Sequence, residues 1–421
     1  MPLRDRPAPR LLALLLLAAG LPPLPARAAE RPWPLPELCR VELPAGTGTR
    51  YYLDRGAPRA SDRNAGTSPE APLASLAAVQ RLRLRPGDSV ALRAGTHYAG
   101  ELRLTASGTP SNPIRLTAYG EGERPSIRAT APFVISAAGA SDVIIEAIGL
   151  RGAPDTAIVL DDATRRIVVH DVLITGSGRG VDVRGESHLL VGNSIRDLHM
   201  VTNTPGGDDD SGAQAFVIGG RGHRFHCNHV RNARAMSYDY GTDGVGFEFW
   251  RSAADIVVSG NWVEDSAGFF EVGGLPGDKV RNLLVQGNVA LNASPFHWLH
   301  NKRGTGNFGL EITGLQVLNN TIVDTQHRAL LFGFGDRPAP GSYRFACNIV
   351  VAPFARQVFN QPTEEASHNL LPPGAGVAGR GNLAGDPRLV SPALQDFRPQ
   401  PGGPAPWAGA FAAERDPGCA P

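Results

Sequence analysis

Between His188 and Val350 a six-residue phrase recurs: an apolar residue, two further residues, an asparagine, one residue, and another apolar residue. It is centred on Asn193, Asn228, Asn261, Asn288, Asn320 and Asn348, as in Val258-Ser259-Gly260-Asn261-Trp262-Val263. Two earlier phrases place an apolar residue at the centre, Ile148 and Val172. Successive centres lie 24, 21, 35, 33, 27, 32 and 28 residues apart. Units of that size bury a core only by stacking on one another. Each is too short for two helices, and its β-branched and aromatic residues alternate with polar ones, so it reads as strands. An all-β fold follows, a right-handed parallel β-helix with about 21 residues in the basic coil and extra loop in the longer steps. An Asn repeated at one turn tolerates the left-handed conformation and can pass amide hydrogen bonds from coil to coil.

In each coil a further strand follows about ten residues after the phrase. Alternation with Val181, Val183, Phe247, Phe249, Phe270 and Val272 inward sends Asp182, Arg184, Glu248, Trp250 and Glu271 outward. Glu248 and Glu271 then occupy equivalent places in successive coils. A stripe of carboxylates, an Arg and a Trp on one stacked face predicts a binding groove. For the coils after Glu271, beginning with the strand Phe296 to His300, the register is open to a shift of one residue.

Four segments are expected. Residues 1–28 combine Arg4, Arg6 and Arg10, an apolar run and Ala26-Arg27-Ala28, the pattern of a signal peptide. Residues 29–85 hold a strand, Tyr51-Tyr52-Leu53, and a short helix written by Leu73, Leu76, Ala77, Val79 and Leu82, which would cap the open end of the solenoid. Residues 86–360 form the β-helix, and 361–421 a Pro/Gly-rich tail packed on it. No later run is long enough to span a bilayer, so a periplasmic or secreted protein without a membrane anchor is expected, and a monomer.

Composition adds little except exclusions. The net charge of +1 gives no field for nucleic acid. Of the four cysteines, Cys227 and Cys347 sit just before a ladder Asn and are several coils apart, which reads as two buried thiols. Cys39 and Cys419 lie outside the coils and are the pair open to oxidation after export.

The motifs Tyr51-Tyr52-Leu53-Asp54, Pro86-Gly87-Asp88-Ser89-Val90, Ser107-Gly108-Thr109 and Asn112-Pro113-Ile114, with the Asn-centred coils behind them, resemble the pectate-lyase-like β-helix superfamily. The likeness is to bacterial polysaccharide lyases of the alginate-lyase and chondroitinase-B type. It implies a partner, an acidic polysaccharide, and cleavage by β-elimination. That chemistry requires a base for the proton alpha to the uronate carboxylate and cations or a metal to neutralise the carboxylate itself.

Lys302 is the expected base, since Arg303 beside it favours the uncharged amine, and Arg328 is the expected neutraliser one coil on. In the lyases a Lys after a groove strand and an Arg in the next coil hold those roles, although the longer motif around the Lys is absent here. His297, His300 and Glu271 complete the catalytic candidates. Asp182, Arg184, Tyr238, Tyr240, Glu248, Trp250 and Arg303 are the substrate-binding ones. Asp208-Asp209-Asp210 is a candidate Ca²⁺ site, as some lyases of the superfamily use. Gly241-Thr242-Asp243-Gly244 is similar to one polygalacturonase motif, but the other motifs of that hydrolase are missing. His223, His226 and His229 read as structural. A glycoside hydrolase using two groove carboxylates, a uronate epimerase and a non-catalytic carbohydrate-binding solenoid are the alternatives.

Overall fold

The computed structural model describes residues 39–302, 310–326, 330–355, 357–361, 366–375, 379–412 and 419. The expected leader, Arg303 and Arg328 lie outside these residues. The chain winds as a right-handed parallel β-helix with three strand columns per coil. One column runs through Thr156–Leu160, Arg179–Val183, Gln214–Arg221, the first part of Val245–Ser259, Phe270–Gly273, His297–Leu299 and Leu330–Phe334. A second column runs through Val143–Glu146, Val168–His170, Leu189–Val191, Arg224–His226, the latter part of Val245–Ser259, Lys279–Gln286 and Leu315–Leu318. The 15-residue strand Val245–Ser259 passes straight from one to the other and joins them into a 22-stranded sheet. The third column is a separate 12-stranded sheet.

The Asn phrase sits at the turn from the second column to the third. The Asn261 side-chain carbonyl accepts from the backbone and side-chain N–H of Asn228, both at 2.9 Å. Its own N–H groups reach the Asn288 Oδ1 at 2.8 and 3.0 Å and the Phe225 carbonyl at 3.0 Å. Buried polar groups are thereby satisfied coil by coil. The ladder continues past residue 360 through Asn369 and Asn382. The left-handed residue is not the Asn, as expected from its turn, but the residue before it. Gly192, Cys227, Gly260, Gly287, Asn319 and Cys347 have φ between 52° and 65°. The ladder Asn is selected for its amide alone.

That geometry also corrects the cysteine reading. Cys227 bonds Cys39 and Cys347 bonds Cys419. A left-handed residue at this corner points its side chain out of the coil, where a flanking segment can meet it. The N-terminal segment therefore crosses several coils to reach Cys227, and the Arg115 guanidinium holds it at the Pro44 carbonyl, 2.7 Å away. The tail is fixed on the third face by Phe397 stacked on Trp262 at 5.6 Å and by the Trp407 indole donating to the His368 carbonyl.

Only Leu76–Gln80 forms a helix between Leu53 and Ser89, shorter than the apolar spacing predicts. Ser75 caps it, and Leu76, Ala78 and Val79 are buried. Beneath the first column runs a file of rings in stacked, tilted and edge-on contact: Phe216, Phe247, Phe269, Phe296, Phe332 and Phe359, with neighbouring centroids 4.6 to 5.8 Å apart. These close-packed rings fix the height of the sheet whose outer face carries the groove.

Candidate active site

The alternation expected for the first column holds. Val181, Val183, Phe247, Phe249, Phe270 and Val272 are buried, which turns Asp182, Arg184, Glu248, Trp250 and Glu271 outward. Strand pairing stacks Asp182, Val217, Glu248, Glu271, Trp298 and Gly333 in one outward file. Two residues further along, Trp250 is paired with Gly273, and Arg184, Gly219 and His300 continue that second file. Both files floor a cavity of about 900 Å³ whose walls include Arg179, Asp208, Asp209, Asp210, Tyr240 and Asp243.

Glu271 and His300 form the central contact of this floor. The His300 Nε2 lies in hydrogen-bond contact with the Glu271 Oε1, in a half-buried pair. If Nε2 donates to the carboxylate, the imidazole lone pair resides on Nδ1. Beside them, burial raises the Glu248 carboxyl well above the usual carboxylate range, and the charges of Glu271 and Asp243 push it further. Asp243 rises to about 7, first from burial and then from Glu271 and Asp210. Burial also raises Asp182, against the pull of the Arg184 guanidinium, which donates to it at 2.8 Å. Glu248, pushed up to about 8, is thus mostly a neutral donor near pH 7, and Asp243 is partly protonated there.

Among the described residues, the two arginines of the cavity wall are already engaged. Arg184 also donates to the Trp250 carbonyl at 3.0 Å. Arg179 reaches Asp155, Ser211 and Gln214 at 2.8, 3.0 and 3.2 Å.

One wall is built by two hairpins, Met200–Thr202 with Ser211–Gly212 and Ala235–Ser237 with Gly241–Asp243. Asp210 clips them together by accepting from the Ser237 hydroxyl at 2.7 Å and the Asp239 N–H at 3.0 Å. The carboxylates that converge are Asp209, Asp210 and Asp239, with ligand atoms within 4.8 Å of one another. Asp208, expected in that set, instead accepts from the Tyr240 hydroxyl at 2.7 Å. An all-oxygen set of this kind suits Ca²⁺.

The other expected residues are dispersed. His297 is withdrawn from the groove: it is fully buried, in ring contact with Phe270, Phe332 and Phe334, and its Nε2 is 3.0 Å from the Tyr343 hydroxyl. The alternation continues one more residue than the sequence makes evident, so Trp298 and His300 take the outward places. Lys302 is exposed and is not part of the cavity wall. Tyr238 is exposed on the hairpin tip, whereas Tyr240 lines the cavity. His223 is buried and stacks on His188 at 4.9 Å, a structural role as expected. Sequence reasoning left out Arg179, Trp298 and Asp243 as site residues. Asp243 was visible only in a loop motif, and Trp298 depended on the unresolved register.

Fold and groove together define a right-handed parallel β-helix whose outer face carries an acid, histidine and tryptophan floor. Among solved structures the chain is similar to a pectate lyase, with 18% identity, a TM-score of 0.59, and coverage of 82% of this chain and 84% of that one. It is also similar to a rhamnogalacturonan lyase, with 14% identity, a TM-score of 0.53, and coverage of 76% and 87%. No family model matches the chain, and no curated protein matches its sequence. At these identities the likeness establishes the shared fold.

Proposed function

We propose that the protein is an exported polysaccharide lyase that cleaves a uronate-containing chain by β-elimination, with His300 as the base. The observation that carries this reading is the Glu271–His300 pair facing the groove beside Glu248, whose carboxyl burial pushes up to about 8. His300 Nδ1 takes the proton alpha to the uronate carboxylate, and Glu271 steadies the imidazolium that forms. Charge builds on the substrate carboxylate, where the Glu248 O–H donates a hydrogen bond instead of opposing it. The carbon–carbon double bond forms as the glycosidic C–O bond breaks, and the leaving oxygen takes the proton back from the imidazolium. A Ca²⁺ ion would be held by Asp209, Asp210 and Asp239 and would brace the hairpin wall; no step passes through it. The two disulfides suit folding in an oxidising compartment, and among the described residues no helix is long and apolar enough to cross a membrane.

A second reading, hydrolysis, is favoured by one observation. Glu248 and Glu271 are paired across adjacent coils, about 5 Å apart at the backbone. A neutral and a charged carboxyl at such spacing can act as proton donor and nucleophile. Incubation with a panel of polyuronates, with and without chelator, separates the readings. Ultraviolet-absorbing unsaturated ends matching the new reducing ends support elimination. Reducing ends without that absorbance support hydrolysis, and binding without either supports a carbohydrate-binding solenoid.

A further inference from the structure

The second outward file of the groove alternates large planar groups with glycine. It runs Arg184, Gly219, Trp250, Gly273 and His300: Trp250 and Gly273 are a direct strand pair, Arg184, Gly219 and His300 each follow a paired residue, and a bulge lies between Ile218 and Gly220. The glycines make room for the planar groups. A β-carbon at Gly219 would lie 2.5 Å from Nη1 of Arg184, and one at Gly273 would lie 2.5 Å from Cζ3 of Trp250. In the first file the same device recurs at the far end, where a β-carbon at Gly333 would lie 2.1 Å from Cε3 of Trp298. Gly219, Gly273 and Gly333 have no left-handed φ, so the backbone does not require glycine there. The requirement comes from the side chain laid across each of them.

The consequence is a floor with a two-coil period. Arg184 covers the coil of Gly219, Trp250 the coil of Gly273 two coils on, and Trp298 the coil of Gly333 two coils beyond that. Strands of a sheet are spaced at about 4.8 Å, so these flat groups recur about every 10 Å along the solenoid axis. One pyranose in an extended 1→4-linked chain advances by about one strand spacing, so alternate sugars of a two-fold chain meet successive platforms, with Trp298 set two residues to the side, in the first file. Glu248 shares a strand with Trp250, and Glu271 is in the coil that its indole covers. The central platform is therefore at the reacting groups, with another platform on each side.

We propose that the groove binds an extended polysaccharide of two-fold, disaccharide periodicity along the solenoid axis, stacks alternate sugars on Arg184, Trp250 and Trp298, and acts within the chain over Trp250. The inference rests on the lyase reading for the identity of the central groups, but not for the platforms. A pyranose presents an apolar ring face that packs on an indole or on the flat guanidinium that Asp182 and the Trp250 carbonyl hold in place.

The test measures binding rather than turnover, using quenching of tryptophan fluorescence in the full chain. The probes are β-(1→4)-polymannuronate, which is two-fold and extended, α-(1→4)-polygalacturonate, which is twisted, and the disaccharide of each. The extended polymer should bind at least ten-fold more tightly than the twisted one. Gly333→Ala, which displaces the Trp298 indole without deleting it, should weaken polymer binding about ten-fold and disaccharide binding less than two-fold. Trp298→Ala, at a half-exposed position, should show the same pattern if the added methyl group disturbs the fold instead. Equal affinity for both polymers, or equal losses for polymer and disaccharide in both variants, would overturn the proposal. A correct binding pattern without unsaturated products would retain the platforms and remove the lyase chemistry.

Discussion

The side-chain carbonyl of Asn288 receives both the backbone N–H of Asn261, at 2.8 Å, and its side-chain N–H, at 3.0 Å. Each ladder Asn thus accepts twice from the coil before it and donates to the coil after it, in a site closed to water. Asn261→Leu removes the acceptor of two buried Asn228 donors and strands the Phe225 carbonyl. Each orphaned group costs about 1–3 kcal/mol, so a loss of about 3 kcal/mol or more is expected. Chemical denaturation measures it directly. A midpoint unchanged from the parent would show that the ladder contributes nothing at this coil.

The neighbouring position behaves differently. Gly260 carries φ 60°, and a β-branched residue there meets the steric cost of the left-handed region. Gly260→Val should destabilise the protein by about 1–3 kcal/mol, whereas Gly260→Asn should be tolerated, as at the equivalent Asn319. Thermal unfolding of the two variants side by side checks this, and equal midpoints would argue against a conformational role.

These positions show how far the sequence was readable. A strict inward and outward alternation makes the strand faces visible, so the outward orientation of Asp182, Arg184, Glu248, Trp250 and Glu271 is legible in the sequence. The repeat of Asn was equally plain, because an amide ladder needs the same residue in every coil. What stayed hidden depends on chain paths that no local pattern records. Cys39 meets Cys227 across 188 residues only because the N-terminal segment runs back over several coils. His297 was confused with its outward neighbours because its strand, between two aromatic-rich coils, has polar-capable residues on both faces. The alternation of planar groups with glycine was illegible until the coils were in register, since its members lie in different strands.

The raised groove carboxyls give stability a defined pH dependence. Asp243 moves from 3.8 to about 7 on folding, and Glu248 moves in the same direction. The folded protein therefore holds protons that the unfolded chain releases, so their contribution is complete below the ordinary carboxylate range. It is lost as pH rises through the folded values. The unfolding midpoint should fall between about pH 5 and about pH 8, and Glu248→Gln should flatten that fall. A steeper decline in the variant would contradict the assignment.

The tail is fastened by Cys347–Cys419 and by Phe397 on Trp262. Cys419→Ser releases one of these fastenings, a loss of about 2–4 kcal/mol for a loop of this length. Limited proteolysis should then cut the tail while leaving the coils intact. Equal resistance in the variant and the parent would show that the stacked rings alone hold the segment.

The most direct test of the groove chemistry compares His300→Ala with Lys302→Arg on a polyuronate that the parent protein cleaves. Release of unsaturated ends should fall at least a hundred-fold in His300→Ala, in line with the loss of a general base. The rate should stay within about two-fold of the parent in Lys302→Arg, because an arginine keeps the charge of a residue outside the cavity wall. Loss of activity in Lys302→Arg with full activity in His300→Ala would contradict the account and return the base to the lysine.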